Sequence, residues 1–396
     1  MFRLGIDKVM FVLTTASLLS LILLDFVSLQ PNRILPGTGH SIVSSVGWGY
    51  ALLIILPLLF NLFLSFSFRK ASSIQRYSFQ LLMLILVFLF MPMLLAIFAT
   101  QHISETQIHA RTGLGSAFWV LLFLTSLSLI ELKQKLNLSR LKICFLIILI
   151  TFSWLFFYIT AQLDTLAIVR EYTARSVQFQ QAFRVHLYLV CAAVMSSIVL
   201  STLLVMLMRR HHVFEKAIFP LLNFIQTIPS LALFGLLIAP LGYLAANSEW
   251  LQSINVGGIG WAPAMIALIA YSLLPMVRNT YVALNEVDAS VIDAAKGMGM
   301  SPLEVFLQVR LPLAMPIILE GIRITTIQAI GLTAVAALIG AGGLGNFIFQ
   351  GLGQAAMDMV LLGALPILFM ALMADLFFST LMSLFSHQDK TSRESQ

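Results

Sequence analysis

The most specific pattern in this chain is a polar stretch between two apolar runs, where residues 285–312 read NEVDASVIDAAKGMGMSPLEVFLQVRLP. Its first half, from Asn285 to Lys296, predicts a short helix, because acidic residues come early and the lysine comes last, in agreement with the helix macrodipole. Gly297 and Gly299 then end this helix, and one of them is expected in the left-handed cap position.

The second half of the stretch predicts another helix directly after the first. Ser301 has the features of an N-cap residue, with Pro302 in the first turn and Glu304 three residues later. We expect Pro312 to end this helix, where the next apolar run begins. Residues 285–312 therefore predict a helix–turn–helix protrusion, the knuckle, with small residues at its tip that let another backbone approach closely: Ala294, Ala295, Gly297 and Gly299.

The rest of the chain is too apolar for a protein that folds in water. Of its 396 residues, 59% are hydrophobic and 10% are charged, and the mean hydropathy is +0.96. Globular chains carry roughly 25% charged residues, and a core of this length leaves about a quarter of its surface exposed. This composition excludes a soluble enzyme, a nucleic-acid binder and a secreted disulfide scaffold. Cys144 and Cys191 lie in apolar runs and are expected as reduced thiols.

Ten apolar runs have the length of about 20 residues that a helix needs to cross the hydrocarbon core. They cover residues 9–29, 46–68, 79–100, 113–130, 143–163, 187–208, 220–245, 263–284, 313–339 and 356–384. The runs are continuous rather than alternating, which favours helices over a barrel. The first run lacks a small-residue cleavage pattern, so we expect it to be a retained span. The sequence thus predicts an all-α integral membrane protein with about ten transmembrane helices.

Basic residues predict the orientation, because they are enriched in cytoplasmic loops. With a cytoplasmic N-terminus, 18 of the 23 lysines and arginines lie inside, Arg3, Arg69 and Lys70 among them. The exceptions are Arg33, Arg111, Arg170, Arg175 and Arg184. We therefore expect both termini in the cytoplasm.

Prolines and glycines become frequent within the apolar runs from about residue 187 onward, which is typical of helices that line a path or move. We expect an N-terminal extension over residues 1–186, with about five spans and the charged external segment 164–186. A core that moves or lines a path is expected over residues 187–385, and a cytoplasmic tail over residues 386–396.

The knuckle carries a family pattern. Membrane subunits of binding-protein-dependent ABC importers have E-A-A, three residues, Gly, nine residues and I-x-L-P, and Asp293 to Pro312 resembles this pattern without a gap. Asp293 replaces Glu and Val309 replaces Ile. The resemblance implies that the knuckle docks on a cytoplasmic ABC ATPase. The coupling residues it implies are Asp293, Ala294, Ala295, Lys296, Gly297, Gly299, Ser301, Leu311 and Pro312.

Two further stretches resemble permeases for glycine betaine, choline and carnitine. Residues 223–235 read NFIQTIPSLALFG, and residues 339–352 read IGAGGLGNFIFQGL. The long extension is similar to that of the YehY-type glycine betaine uptake permeases. The resemblance implies a type I importer (MetI-like) core in the bacterial inner membrane, a periplasmic substrate-binding protein as partner, and a small quaternary-ammonium osmolyte as substrate. Since one knuckle engages one ATPase, a second permease chain is expected, identical or paralogous.

No Walker lysine motif occurs in the chain. The glycine-rich residues 340–345 follow a membrane helix rather than a strand, which favours an external turn over a phosphate site. His211 and His212 lack companion ligands for a metal and are expected to anchor the chain at the membrane surface. The chain is therefore expected to be no enzyme and to hold no cofactor or metal, while the partner ATPase binds ATP and Mg²⁺.

Polar residues within the spans suggest a path and a gate. Candidates for the path are Asn223, Gln226, Thr227, Ser230, Tyr271, Thr325 and Gln328. Such side chains either join helices or face a wet cavity, and both interpretations stay open. Glu320 and Arg323 are three residues apart and can pair, with Asp375 at a comparable depth. Either a locking ion pair or a gate that breaks during transport fits these charges.

The function predicted from all these features is that of a permease subunit whose alternating access is driven by a partner ATPase. An amino-acid-like solute is an alternative substrate within the same class. An ion-driven secondary transporter is the alternative from another class, but it would need paired inverted repeats and coupling-ion sites, and the sequence shows neither.

Overall fold

The computed structural model describes residues 5–33, 35–67, 73–104, 107 and 109–393. Contacts divide the chain into two units, Met1–Ala174 and Arg175–Gln396. Residue 186, the expected boundary, lies inside a continuous helix that begins at Ser176. The expected positions of Arg3, Arg69 and Lys70 fall outside the described residues.

The first unit is helical with short strands between the helices. Its helices are α1 (Lys8–Leu23), α2 (Ile42–Leu64), α3 (Ser73–His102), α4 (Ser116–Lys135), α5 (Arg140–Ile159) and α6 (Ala167–Ala174). Its strands are β1 (Gly5–Ile6), β2 (Val27–Gln30), β3 (Thr38–His40), β4 (Phe66–Ser67) and β5 (Arg111–Leu114). The two-residue strands β1 and β4 pair, and β2 lies between β3 and β5, with all pairings antiparallel.

The first predicted span, 9–29, is too long at its C-terminal end. Helix α1 ends at Leu23, and Val27–Gln30 forms the central strand of the three-stranded sheet. Glycine allows the chain to pass close to the start of this sheet just after β5, because a Cβ on Gly115 would lie 2.1 Å from the carbonyl oxygen of Asp25. The apolar residues Phe26 and Val27 are fully buried in the core of the unit, which explains why the apolar run extends past the helix.

The charged segment that begins at Asp164 is tied into the first unit rather than free. Helix α6 packs against β5, and the Glu171 side chain is only 3% exposed. Its Oε1 lies 2.9 Å from Arg33 Nε and 2.9 Å from Arg111 Nη1. A buried carboxylate needs such partners, so the charges at this point of the segment stabilise the small sheet.

The second unit consists of helices. They are α7 (Ser176–Arg210), α8 (His212–Thr227), α9 (Ser230–Ala246), α10 (Glu249–Ser253), α11 (Trp261–Asn285), α12 (Ala289–Gly297), α13 (Pro302–Glu304), α14 (Leu311–Ala336), α15 (Gly345–Gly353) and α16 (Met357–Arg393). Helix α11 packs against both α14 and α7, and α14 also packs against α16. Helix α16 continues through most of the expected C-terminal tail.

The predicted span 220–245 is not one straight helix. Helices α8 and α9 meet at an angle of 103°. The break lies at Ile228 and Pro229, where Ile228 has the extended backbone (φ −70°, ψ 126°) that a following proline favours. A hydropathy scan detects an apolar run but not a change of direction within it, so it does not predict the bend.

Eight helices within the described residues are long and apolar enough to cross a membrane, and the bent α8–α9 pair adds one span if it is counted once. Helix α1 is apolar but shorter. The prediction of about ten membrane helices in an all-α protein is therefore confirmed in outline.

Helices α11 and α14 approach closely at Gly321. A Cβ on Gly321 would lie 2.7 Å from the Cβ of Asn279 on α11, which is inside any normal contact distance. The Asn279 side chain is itself fixed, since its Nδ2 donates a hydrogen bond of 2.8 Å to the Pro275 carbonyl. Small residues allow such close packing between helices in a membrane.

Candidate functional site

The first helix of the knuckle is α12, and it begins later than predicted. Asn285 is the last residue of α11, and α12 starts at Ala289 with Asp288 as its N-cap. The Asp288 side chain accepts a hydrogen bond of 2.9 Å from the backbone N–H of Ser290. This bond lowers the pKa of the Asp288 carboxyl below its ordinary value, so the cap is ionised at neutral pH.

The turn after α12 depends on Gly299. This residue has φ +84°, in the left-handed region, and its N–H donates to the Lys296 carbonyl at 2.9 Å. Gly297 belongs to α12 itself. The predicted left-handed cap is therefore confirmed and falls on Gly299, which is the residue that the family pattern requires to be glycine.

The predicted start of the second helix is confirmed at Ser301. The Ser301 N–H donates to Glu304 Oε2 at 2.7 Å, and the Glu304 N–H donates to Ser301 Oγ at 3.4 Å. The two bonds form a complete capping box, with Pro302 in the first turn. The N-terminus of the second knuckle helix is thus fixed by side-chain hydrogen bonds.

The prediction that Pro312 ends this helix is wrong. Val305–Arg310 form a π-helical turn between α13 and α14, so the chain stays helical from Pro302 to Ala336. Pro312 lies in the first turn of α14, and its missing N–H is tolerated beside the wider π turn, where Leu311 N–H bonds to the Phe306 carbonyl. The knuckle is therefore joined to a membrane helix without a loop.

A small apolar core holds the two knuckle helices together. Ile292, Ala295 and Val305 are buried in it. Ala295 is 2% exposed, so it packs inside the knuckle and is unavailable to a partner, unlike its exposed neighbour Ala294.

The outer surface of the knuckle carries apolar side chains that the sequence pattern did not single out. Met298 is 76% exposed and Leu303 is 67% exposed. For Met298, the sequence signal that could have identified it is its position between two glycines, Gly297 and Gly299, in a largely polar stretch. Both side chains are therefore available for contact with another surface.

A cleft of about 250 Å³ lies between α12 and the π turn. Its rim contains the basic residues Lys296 and Arg310, and its walls include Ile292, Pro302 and Phe306. Lys296 Nζ also lies 3.2 Å from Asp293 Oδ1, but both side chains are mostly exposed, so this pair contributes little stability. The knuckle therefore presents an apolar surface, a basic cleft and an exposed acidic residue.

Two of the proposed path residues are engaged in holding the bend between α8 and α9. Gln226 Nε2 donates to the Tyr271 carbonyl at 2.8 Å, and the Tyr271 hydroxyl donates to the Ile228 carbonyl. Tyr271 is 7% exposed. The hydrogen bonds of Gln226 and Tyr271 therefore favour a role in joining helices over a role in lining a transport path.

The other proposed path residues are spread over different surroundings. Asn223 and Thr227 are exposed on α8, and Ser230 is half-buried at the start of α9. On α14, Gln328 is half-buried and Thr325 is fully buried, with no hydrogen-bond partner for its Oγ1 among the described residues. The lining role of these residues stays a prediction.

The structure brings the three gate candidates together. Arg323 Nε donates to Asp375 Oδ1 at 2.7 Å, and Arg323 Nη1 lies 3.1 Å from Glu320 Oε2. This cluster connects α14 with α16 through charge-assisted hydrogen bonds. The side chains are 29% to 38% exposed, so the cluster is only partly buried, and its role as a lock or a gate stays a prediction.

We expect Arg323→Met to destabilise the second unit by about 1–2 kcal/mol, because it leaves two neighbouring carboxylates without their cation. Thermal unfolding in detergent measures this change. Adding Asp375→Leu to Arg323→Met should restore part of the loss, since it removes one unpaired charge. Arg278→Met, at an exposed arginine on α11, is the control, and equal losses in both single variants would contradict a stabilising cluster.

Two family models match this chain. Residues 197–388 match the binding-protein-dependent transport system inner membrane component, and residues 3–169 match the N-terminal domain of the ABC transporter permease YehY. The two matches lie on either side of the start of α7.

Curated relatives agree with these matches. The chain is 36% identical over 190 residues to the glycine betaine/carnitine/choline transport system permease protein OpuCB of Bacillus subtilis, which covers 48% of this chain and 80% of that protein. It is 38% identical over 190 residues to the osmoprotectant import permease protein OsmW of Salmonella typhimurium, covering 48% and 83%. It is also 40% identical over 174 residues to the ergothioneine transport permease/ergothioneine binding protein EgtU of Helicobacter pylori, covering 44% and 28%.

The fold, the knuckle geometry and these matches lead to one assignment. The homologues are transport subunits rather than enzymes, and importers of this kind work with a separate ATPase and a substrate-binding protein. The chain belongs to the family of binding-protein-dependent transport system inner membrane components, as a multi-pass permease subunit of an ABC importer that carries a YehY-type N-terminal domain.

Proposed function

We propose that this permease imports a small quaternary-ammonium osmolyte such as glycine betaine across the bacterial inner membrane. The observation that carries the proposal is the similarity of its core to OpuCB and OsmW, whose names refer to glycine betaine, carnitine, choline and osmoprotectants. An amino-acid-like or other small solute is the second candidate, which the 40% identity to the ergothioneine permease favours.

The proposed mechanism is alternating access driven from outside the chain. Closure of two ATPase subunits on ATP moves the docked knuckles together. The continuous helix from Pro302 to Ala336 carries this motion into the membrane, and the cluster around Arg323 on the same helix opens or closes with it. Two knuckles require two permease chains, identical or paralogous.

The proposed orientation has both termini and the knuckle in the cytoplasm. Helix α7 ends at the basic residues Arg209 and Arg210, which the positive-inside rule places in the cytoplasm. For the knuckle to lie on that same side, the bent α8–α9 pair has to cross the membrane once and α11 has to return. Its 103° bend is compatible with one helix on the membrane surface and the other across it.

Uptake into proteoliposomes that contain the permease, its ATPase and its binding protein tests the proposal. We expect ATP-dependent uptake of glycine betaine, with weaker or no uptake of a standard amino acid, and choline and carnitine define the specificity. Liposomes without the ATPase are the control. Uptake that persists without the ATPase and collapses with the ion gradient would point to a secondary transporter instead.

A further inference from the structure

Helix α5 forms an apolar edge of the first unit. It packs against α3, and none of its side chains from Leu141 to Ile159 is buried by the rest of the chain. Leu141 is 83% exposed and Phe145 is 64% exposed. The only charged residue in this range is Lys142, near the start of the helix. In a chain that spans the membrane, such an apolar surface is in contact with lipid.

A groove of about 360 Å³ lies between α3 and the start of α5. Five leucine and phenylalanine side chains line it, from Leu81, Leu138, Leu141, Phe145 and Leu146. Lys142 is the one polar residue in this lining, all of which lies within the described part of the chain. The volume falls in the range of about 300–1,000 Å³ that is typical of small-molecule sites. The groove therefore suits an apolar chain with a charged group at one end.

The contact between α3 and α5 shows how the groove lies in the membrane. Ser153 Oγ donates a hydrogen bond of 3.1 Å to the Leu89 carbonyl, which joins residues 64 positions apart. Leu81 and Phe145 have the same separation and both line the groove, so the two helices run in the same direction. Lys142 is then level with the second turn of α3, which begins at Ser73. Lys142 thus lies near the membrane surface, and the groove extends from it toward the membrane interior.

The charges at this end of the first unit favour an anion at Lys142. Its side chain is exposed and has no ion-pair partner among the described residues. The acidic side chains described at this end are Asp7 and Glu131, and both are paired with Lys135, at 2.6 Å and 2.9 Å. The positive charge of Lys142 is therefore available to a ligand.

We propose that this groove binds an acyl chain of an anionic phospholipid, whose phosphate lies against the Lys142 ammonium group. A lysine in this position lays its methylene stem along the apolar wall and presents its charge at the level of the headgroups. Basic pockets between membrane helices bind anionic headgroups by the same attraction. A free anion would gain from the charge but not from the apolar walls, so the lining favours a lipid. The cytoplasmic leaflet rests on the orientation in the proposed function, whereas the choice of an anionic lipid rests on the groove alone.

Photo-crosslinking of the full-length protein in lipid nanodiscs tests this site. The discs consist of phosphatidylcholine with a small fraction of a probe lipid, either phosphatidylglycerol or phosphatidylcholine, that carries a diazirine in its acyl chain. Peptide mass spectrometry then measures the labelling of residues 138–146. We expect about fivefold more labelling by the phosphatidylglycerol probe, the preference that one lysine near the membrane surface provides. Unlabelled phosphatidylglycerol should displace this probe, and glycerol phosphate should not.

Substitutions at Lys142 separate its charge from the apolar walls. Lys142→Gln should bring the ratio of labelling by the two probes close to one, because the attraction to the phosphate is lost. Lys142→Arg keeps the charge and should keep the preference. The matched control is Lys133→Gln, because Lys133 is an exposed lysine in the last turn of α4 and does not line the groove. This variant should also keep the preference.

Equal labelling of the wild type by both probes overturns the site, because it shows lipid contact without selection. An equal loss of preference in Lys142→Gln and Lys133→Gln overturns it in favour of a general surface charge. Absence of labelling at residues 138–146 overturns it in favour of a protein chain in the groove, and displacement by glycerol phosphate refutes the role of the acyl chain. The measurement needs neither ATPase nor substrate, so a permease that imports no osmolyte would refute the proposed function and leave the lipid site intact.

Discussion

Gly299→Arg is expected to leave the permease inserted and folded while its ATP-driven transport falls at least about 100-fold, the size of effect typical of a change at the centre of an interface. Gly299 has φ +84°, which costs a residue with a side chain about 1–2 kcal/mol. The space around it is open, because a Cβ added there would meet nothing within 4 Å, so an arginine projects outward from the tip of the knuckle. The long charged side chain then blocks the surface on which the ATPase is proposed to dock.

A graded series separates the two contributions at this turn. Gly299→Ala introduces the backbone strain without the bulk, and we expect a smaller loss of transport. Gly297→Ala adds the same methyl group at the tip of the knuckle, at a helical residue with equally open surroundings, so the difference between the two alanine variants measures the cost of the backbone strain. Uptake and stimulation of ATP hydrolysis in proteoliposomes measure the coupling. Normal coupling in Gly299→Arg would contradict docking through the knuckle tip.

Gly321→Leu is expected to destabilise the second unit by about 3 kcal/mol, because overpacking a close helix contact forces the backbones apart. The first atom of the new side chain would already lie 2.7 Å from the Cβ of Asn279, which is too close for any normal contact. Helix α14 also carries the knuckle, so its displacement should lower transport together with stability. The thermal midpoint in detergent and the yield of folded protein measure the effect.

Gly331→Leu is the matched control for this second prediction. Gly331 lies on the same helix α14, but a Cβ there meets nothing within 4 Å in the chain. Both variants make the same chemical change at a helical glycine, so only the neighbouring atoms differ. A thermal midpoint that falls equally in both variants would show that the α11–α14 contact at Gly321 is not the cause.

Local signals in the sequence predicted the parts of the knuckle that depend on neighbouring residues. The capping box at Ser301 and the glycine turn at Gly299 are set by side chains and backbone within a few residues, and both were confirmed. The ion cluster around Arg323 could also be predicted from the sequence, because Glu320 and Arg323 are one helical turn apart and Asp375 is a charge in an apolar run. Charged side chains are costly in a membrane and therefore pair with one another, and few other charges lie in these apolar runs.

Features that depend on the direction of a helix or on tertiary packing were not predictable in this way. The 103° bend at Pro229 and the end of α1 at Leu23 both lie inside continuous apolar runs. The burial of Ala295 depends on contact with Val305 across the turn, which composition and spacing do not encode. The roles of Gln226 and Tyr271 depend on hydrogen bonds between separate helices.

The π turn at Val305–Arg310 fixes the direction in which the knuckle points. Each residue in an α-helix advances the chain by about 100° around the axis, and the i to i−5 bonding of a π turn accommodates one residue more than an α-helical turn. The apolar side chains of the knuckle are thereby rotated by about that angle from the direction that an uninterrupted α-helix would give them. The side of helix α14 toward which the knuckle points is thus set by the hydrogen bonding of these six residues, and not by the length of a connecting loop. The same six residues therefore determine the direction from which an ATPase would contact the knuckle.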